Sequence, residues 1–175
     1  VSAFLLNRSS DLLSCALPSA AQIAAEAAVQ TISCTYAATD MVNGHDYIYL
    51  LFKGNTMMVY DLDDEKMVDI KRNVFSTPRG VYIDKNHTVW VCGATNSIYR
   101  YDPLSKTGEH LVMDLELIPF EGSLNLHGIT GDGNGNIYFG TYNRGHIGMY
   151  NTKTGEFSKI SDHLDATPET GKGAD

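Results

Sequence analysis

The sequence has no apolar run of the ~18 residues that a membrane-spanning helix needs, so nothing in it reads as a membrane span. It has no basic cluster either. Lys and Arg number 13 against 21 Asp and Glu, for a formal net charge of −8, whereas a phosphate backbone demands clustered cations. Neither nucleic acid nor a membrane is therefore an expected partner. Cysteine is scarce: Cys15, Cys34 and Cys92, an odd number at irregular spacing, make neither a disulfide framework nor a zinc site. They read as buried free thiols, with a Cys15–Cys34 disulfide left open. No charged segment precedes the apolar residues 1–6, and Arg8 and Asp11 follow at once, so the start does not read as a signal peptide. The chain also begins without Met, which reads as processing or as a fragment. Secreted, periplasmic and cytoplasmic locations all stay open. After residue 35 no helical period occurs, and Gly or Pro interrupts the chain every ten residues or so.

What is present is globular in composition, with 43% hydrophobic and 19% charged residues over a length of 175. Residues 1–31 stand apart. Ala is dense from Ala16 to Ala28, and the intrinsic propensity of that stretch predicts a helix at about 19–30. Leu12, Leu13, Ile23 and Val29 offer it an apolar stripe. Residues 28–36 are also β-compatible, and part of them suits the innermost strand of a first sheet. From residue 32 onward the chain reads as short strands rich in β-branched and aromatic residues, at 47–52, 56–61 and 66–70. Further strands follow at 80–84, 88–92, 97–102 and 109–113. Residues 127–160 read as four short strands joined by three turns.

These strands repeat. Gly80 and Gly128, Asp84 and Asp132, and Trp90 and Tyr138 each lie 48 residues apart, and Tyr101 precedes Tyr150 by 49. Tyr60-Asp61 precedes Tyr101-Asp102 by 41, and the same offset sets Tyr49 under Trp90. Periods of ~40–50 residues with four strands each mark propeller blades. A β-sandwich explains the strands but not the repeat. The expected fold is therefore all-β: about three four-stranded antiparallel blades of a partial propeller, at about 32–70, 80–114 and 128–160, after a partly helical segment at 1–31. Closed propellers need ~4–8 blades. Three alone leave faces and edges uncovered, so association with further blades or with itself is expected.

Propeller loops from strand 2 to 3, and from strand 4 to the next strand 1, share one end of the channel and carry the candidate site. Arg79 and His127 are repeat-equivalent, each just before an innermost strand. Asn96 and Arg144 are equivalent in the strand 2–3 loops, with Asn55 lying 41 before Asn96. Such a ring suits a polar or anionic ligand through Arg pairing; the plainer alternative is that these side chains hold the loops. Asn125 and His127 lie on one side of an extended segment, with His146 on the neighbouring loop. His127 is the candidate catalytic residue, as base or metal ligand, although Glu121 is its nearest carboxylate in sequence and stands at no convincing partner spacing. Tyr142 and Trp90 read as blade packing, with Tyr142 alternatively reaching the loop face as a stacking platform for a sugar or other flat ligand. Asp132-Gly-Asn-Gly-Asn136 reads as a tight turn, since it lacks the distant Glu of a calcium loop and no helix follows to make it a phosphate loop. His45, His87, His110 and His163 read as surface or turn residues.

Residues 128–150 resemble a blade of the NHL and virginiamycin B lyase-like propellers, through Gly128-Ile-Thr-Gly-Asp-Gly-Asn-Gly-Asn-Ile-Tyr-Phe and the later Gly148-Met-Tyr. Residues 80–114 match more loosely, and 37–70 weakly. At the level of fold the chain also resembles the lactonase-type propellers of the SMP-30 group, without their metal triad of Glu, Asn and Asp. The resemblance to the streptogramin lyase implies a metal-assisted elimination that opens a cyclic ester. Of the residues it implies, His127 is present. Asn125 stands where an acid would be, and Thr141 and Arg144 fall near the later Glu and His. The expected function is binding of a small molecule, glycan or protein on the loop face through Arg79, Asn96, Asn125, Tyr142, Arg144 and His146, with no cofactor evident. The alternative is a lyase or lactonase-like hydrolase that uses a divalent metal and has its remaining residues on absent blades. A scaffold is the third class.

Overall fold

The computed structural model describes residues 33–114, 117, 125–142 and 145–161. The chain divides into two units, Val1–Ile32 and Ser33–Asp175, and every described residue belongs to the second. The helix expected at 19–30 and Cys15 lie outside the described residues, as do Glu121, Arg144 and His163. Among the described residues no helix is long and apolar enough to cross a membrane.

Twelve strands form three antiparallel sheets of four. The first holds β1 (Cys34–Val42), β2 (His45–Phe52), β3 (Thr56–Asp61) and β4 (Lys66–Arg72). The second holds β5 (Pro78–Ile83), β6 (Val89–Gly93), β7 (Ser97–Asp102) and β8 (Thr107–Val112). The third holds β9 (Leu126–Gly131), β10 (Asn136–Thr141), β11 (Ile147–Asn151) and β12 (Glu156–Ser161). Each sheet pairs its strands in sequence order, and the first strands lie side by side, β1 against β5 and β5 against β9. The innermost strand of the first sheet, expected within residues 28–36, is β1 and runs further on, over Cys34–Val42.

Turn chemistry sets the strand ends. Asn43-Gly44 joins β1 to β2 with both residues at positive φ, 54° and 83°, as a two-residue hairpin requires. The turns from third to fourth strand share one construction. The side chains of Asp61, Asp102 and Asn151 each accept the backbone N–H groups two and three residues on. Four residues after each of these, Glu65, Lys106 and Gly155 take the left-handed conformation.

The core is two seams between sheets. All five residues of β6 are buried, because its pleat serves both neighbours. Val89 and Val91, with Tyr99 and Tyr101 of β7, pack against Tyr49, Leu51, Met57 and Val59 of the first sheet. Trp90, Cys92 and Ile98 point the other way, to Ile137, Phe139 and Tyr150 of the third. Polar groups tie the first seam. Tyr101 Oη donates to Asp69 Oδ2 at 2.9 Å, and His110 Nε2 lies 3.0 Å from the Asn73 carbonyl. His87 Nδ1 lies 2.7 Å from Asp40 Oδ2. His87 and His110 are thus links between sheets rather than free surface residues. Of the cysteines, Cys92 is buried as expected, but Cys34 is exposed, because β1 is an innermost strand with little packed over it.

Candidate functional site

Each innermost strand carries a bulge near its start. The extra residue is Thr35 in β1 and Arg79 in β5, but Gly128 in β9. A 48-residue shift would have placed the third bulge at His127. Instead the bulge slips by one residue, to a glycine at φ 67°, where a side chain is disfavoured. Arg79 therefore stands outside its ladder, while His127 pairs with Gly140 inside one. The two remain neighbours, because β5 and β9 approach closely: a Cβ on Gly80 would lie 3.3 Å from the Gly128 Cα.

Four expected residues, Arg79, Asn125, His127 and Tyr142, come together here. The His127 ring stacks on Tyr142, with centroids 5.0 Å apart and planes at 24°. Tyr142 is held by its N–H, which donates to the Asn125 carbonyl at 3.0 Å, and the residue is 55% exposed. Burial holds the His127 pKa below the ordinary imidazole value, and the nearby Arg79 guanidinium lowers it further. Both effects favour the neutral ring. Arg79 is half-buried, and its Nε is buried with no hydrogen-bond partner among the described residues. Among those residues no carboxylate is hydrogen-bonded to the His127 ring.

The other expected residues serve the loops. Asn96 Nδ2 donates to the Met113 carbonyl at 3.1 Å, and its own carbonyl accepts the Met113 N–H at 2.9 Å. Asn55 repeats this in the first sheet, its carbonyl accepting the Val74 N–H at 3.1 Å. His146 is buried, and its backbone closes the β10–β11 loop on Thr141. Arg144, on the same loop, lies outside the described residues.

A set of possible metal ligands lies at the opposite end of the strands. His45 Nδ1 is 3.0 Å from Asp61 Oδ2 and 3.9 Å from Asp64 Oδ2. Burial alone would raise the Asp61 pKa, but the N–H of Asp64, His45 and the N–H of Asp63 outweigh it and hold it low. Asp61 is also the turn cap repeated at Asp102 and Asn151, and Lys66 already pairs with Asp64. The sequence hid this grouping, because His45 and Asp61 meet only once β2 and β3 are in register. A groove of about 570 Å³ lies at the same end beside Arg100 and Glu109, which pair with each other.

No family model matches the chain, and no curated protein does. Solved structures do. The extracellular domain of a hybrid two-component system from B. thetaiotaomicron superposes with a TM-score of 0.55 at 20% identity, over 77% of this chain and 17% of that one. Virginiamycin B lyase from Staphylococcus aureus gives 0.52 at 17% identity, over 70% of this chain and 39% of the lyase. The Dos1 propeller gives 0.56 at 16% identity, over 69% of this chain and 33% of its own. The chain thus spans well under half the length of each. What these likenesses share is architecture: the three sheets of this chain are blades of a β-propeller.

Proposed function

We propose that the chain is the ligand-binding part of a propeller, and that its site is the loop end of the second and third blades around Arg79, His127 and Tyr142. The propeller fold supports a binding or scaffold role in general. The narrower reading rests on one observation: a buried Arg79 Nε–H without a partner among the described residues, beside the His127–Tyr142 stack. A buried donor without an acceptor costs about 1–3 kcal/mol, and a ligand oxygen would offset that. The stack offers a flat face to a sugar or planar ring. Together they suit a small molecule, glycan or protein segment that carries a carboxylate next to such a ring, with Asn125 at the rim.

The test is an array of glycans and small carboxylates, rich in uronic acids, against the wild type, Arg79→Ala and Tyr142→Ala. A charge-assisted hydrogen bond of about 1.5–3 kcal/mol predicts a loss of roughly 10–150-fold in affinity for Arg79→Ala. Capture that survives both substitutions at full strength would refute the reading.

A second reading is enzymatic. The neutral His127 ring is in the protonation state a general base needs, and one structural neighbour is virginiamycin B lyase. In that reading His127 would take a proton or hold a divalent metal, and the residues that orient it lie outside those described. Calorimetric titration with Zn²⁺ or Mn²⁺ tests it: heat abolished by His127→Ala supports it, and no heat rejects it.

A further inference from the structure

We propose that His45, Asp61 and Asp64 form a binding site for a divalent transition-metal ion of the zinc type, at the turn end of the first blade. The inference does not depend on the loop-end site proposed above, which lies at the other end of the strands.

The three side chains come from two neighbouring turns. His45 opens β2 just after the Asn43-Gly44 hairpin, and Asp61 and Asp64 belong to the turn from β3 to β4. The pairing of Tyr47 with Asp61 brings the two turns together. His45 Nδ1 and one carboxylate oxygen from each aspartate all lie within 4.8 Å of one another. Zn²⁺ holds nitrogen and oxygen at about 2.0–2.2 Å, so two ligands of one ion sit roughly 3.0–3.5 Å apart. His45 Nδ1 is 3.0 Å from Asp61 Oδ2, which is already such a spacing. It is 3.9 Å from Asp64 Oδ2, on a side chain that is 41% exposed and can rotate inward.

Two observations separate this group from an ordinary acidic turn. The Asp61 side chain is only 2% exposed, yet its Oδ2 accepts no hydrogen bond among the described residues, because both turn N–H groups go to Oδ1. His45 Nδ1, which faces that oxygen, is itself buried and makes no hydrogen bond. At 3.0 Å the pair is close enough to bond, so the oxygen lies off the ring's N–H axis. A buried nitrogen and a buried carboxylate oxygen thus meet without bonding, which is costly for both and is relieved by a cation held between them. The second observation is internal to the repeat. The turn cap recurs at Asp102 and Asn151, but Asn86 and Ser105 stand where the 41-residue shift puts His45 and Asp64, and Asn134 and Thr154 stand there in the third blade. The turn therefore folds without either residue, and without a charge on the cap. Only the first of the three blades adds an imidazole and a second carboxylate.

The donor set selects the ion. Imidazole suits Zn²⁺ and its transition-metal neighbours, whereas Ca²⁺ and Mg²⁺ take oxygen ligands. Three protein ligands leave the fourth zinc position to water. Asp63 is not among them, because its carboxylate accepts the Asp46 N–H at 2.7 Å, but Asp46, Asp63 and Glu65 surround the site with negative charge that draws a cation. Lys66 is the competitor. It pairs with Asp64, but it is 61% exposed, and an exposed pair of this kind holds weakly.

The experiment is calorimetric titration of the 175-residue chain with Zn²⁺, and with Ca²⁺ for comparison. Wild type should bind Zn²⁺ and show far weaker binding of Ca²⁺. Asp61→Asn should keep the cap, as Asn151 does, and so leave the circular dichroism spectrum unchanged while Zn²⁺ affinity falls by roughly tenfold or more. His45→Ala and Asp64→Asn should do the same without touching the cap, and decide the matter if Asp61→Asn fails to fold. Lys66→Ala should tighten binding by removing the competitor, a gain that a purely structural turn would not give. His127→Ala should change nothing, which keeps this site distinct from the loop end. Absence of Zn²⁺ heat in the wild type, heat that survives His45→Ala at full affinity, or heat lost with His127→Ala would each overturn the assignment.

Discussion

His127 is where a single residue can be interrogated most directly. Its folded pKa is below the ordinary value, first because of burial and then because of Arg79. The folded state thus prefers the neutral ring. Stability is therefore unaffected well above the unfolded value of about 6.5 and falls as pH drops below it. An NMR titration should place His127 below that value, and Arg79→Ala should move it upward while leaving it short of the free value. Asp132 runs the other way for a carboxylate. The Asn136 side chain and the Asn134 N–H, among others, hold its pKa down to about 2. Its contribution is complete above the unfolded value of about 3.9 and is lost as pH falls through about 2. A carboxyl NMR titration with no inflection between pH 3 and 5 checks it. The Asp132 turn was legible in sequence, since Gly133 and Gly135 both take positive φ, as such a run demands. The cysteines were legible only in part. Burial pushes the Cys92 thiol up to about 12, so it should resist alkylation at pH 8 in the folded chain while exposed Cys34 reacts, a difference that peptide mass spectrometry resolves. The sequence around Cys34 has no alternation to mark which side faces out.

At the scale of elements, the repeated turn from third to fourth strand offers a clean comparison. Gly155 adopts the left-handed conformation without penalty, but Glu65 and Lys106 do so with side chains. That conformation costs an L-residue about 1–2 kcal/mol, partly offset by the entropy glycine loses on folding. Lys106→Gly should therefore stabilise the chain by about 0.5 kcal/mol, read as a raised urea midpoint at unchanged slope. The glycine at 148 makes the opposite case, because a methyl there would run into the Phe139 ring. Gly148→Ala should cost about 1–3 kcal/mol. Strand positions were legible because period-2 alternation and turn residues are local signals. The one-residue slip of the third bulge was not, since it depends on which backbone atoms of β9 and β10 pair. Sequence arithmetic thus placed Arg79 and His127 in one column although their backbones differ.

For the whole molecule, the legible part was the number and order of blades, which recur as a period. Less legible was what joins them. His87 and His110 link the first blade to the second through groups 47 and 37 residues away, and no local pattern announces such pairs. The slipped bulge limits what protein engineers can do with this chain. Consensus design averages repeats column by column and assumes that a column is one structural place. Here the column holding Arg79 and His127 is an unpaired backbone position in one blade and a paired one in the next. An idealised ring built from that average would present the same side chain from two different backbone settings, and would lose the close pairing of unlike residues on which the loop end depends.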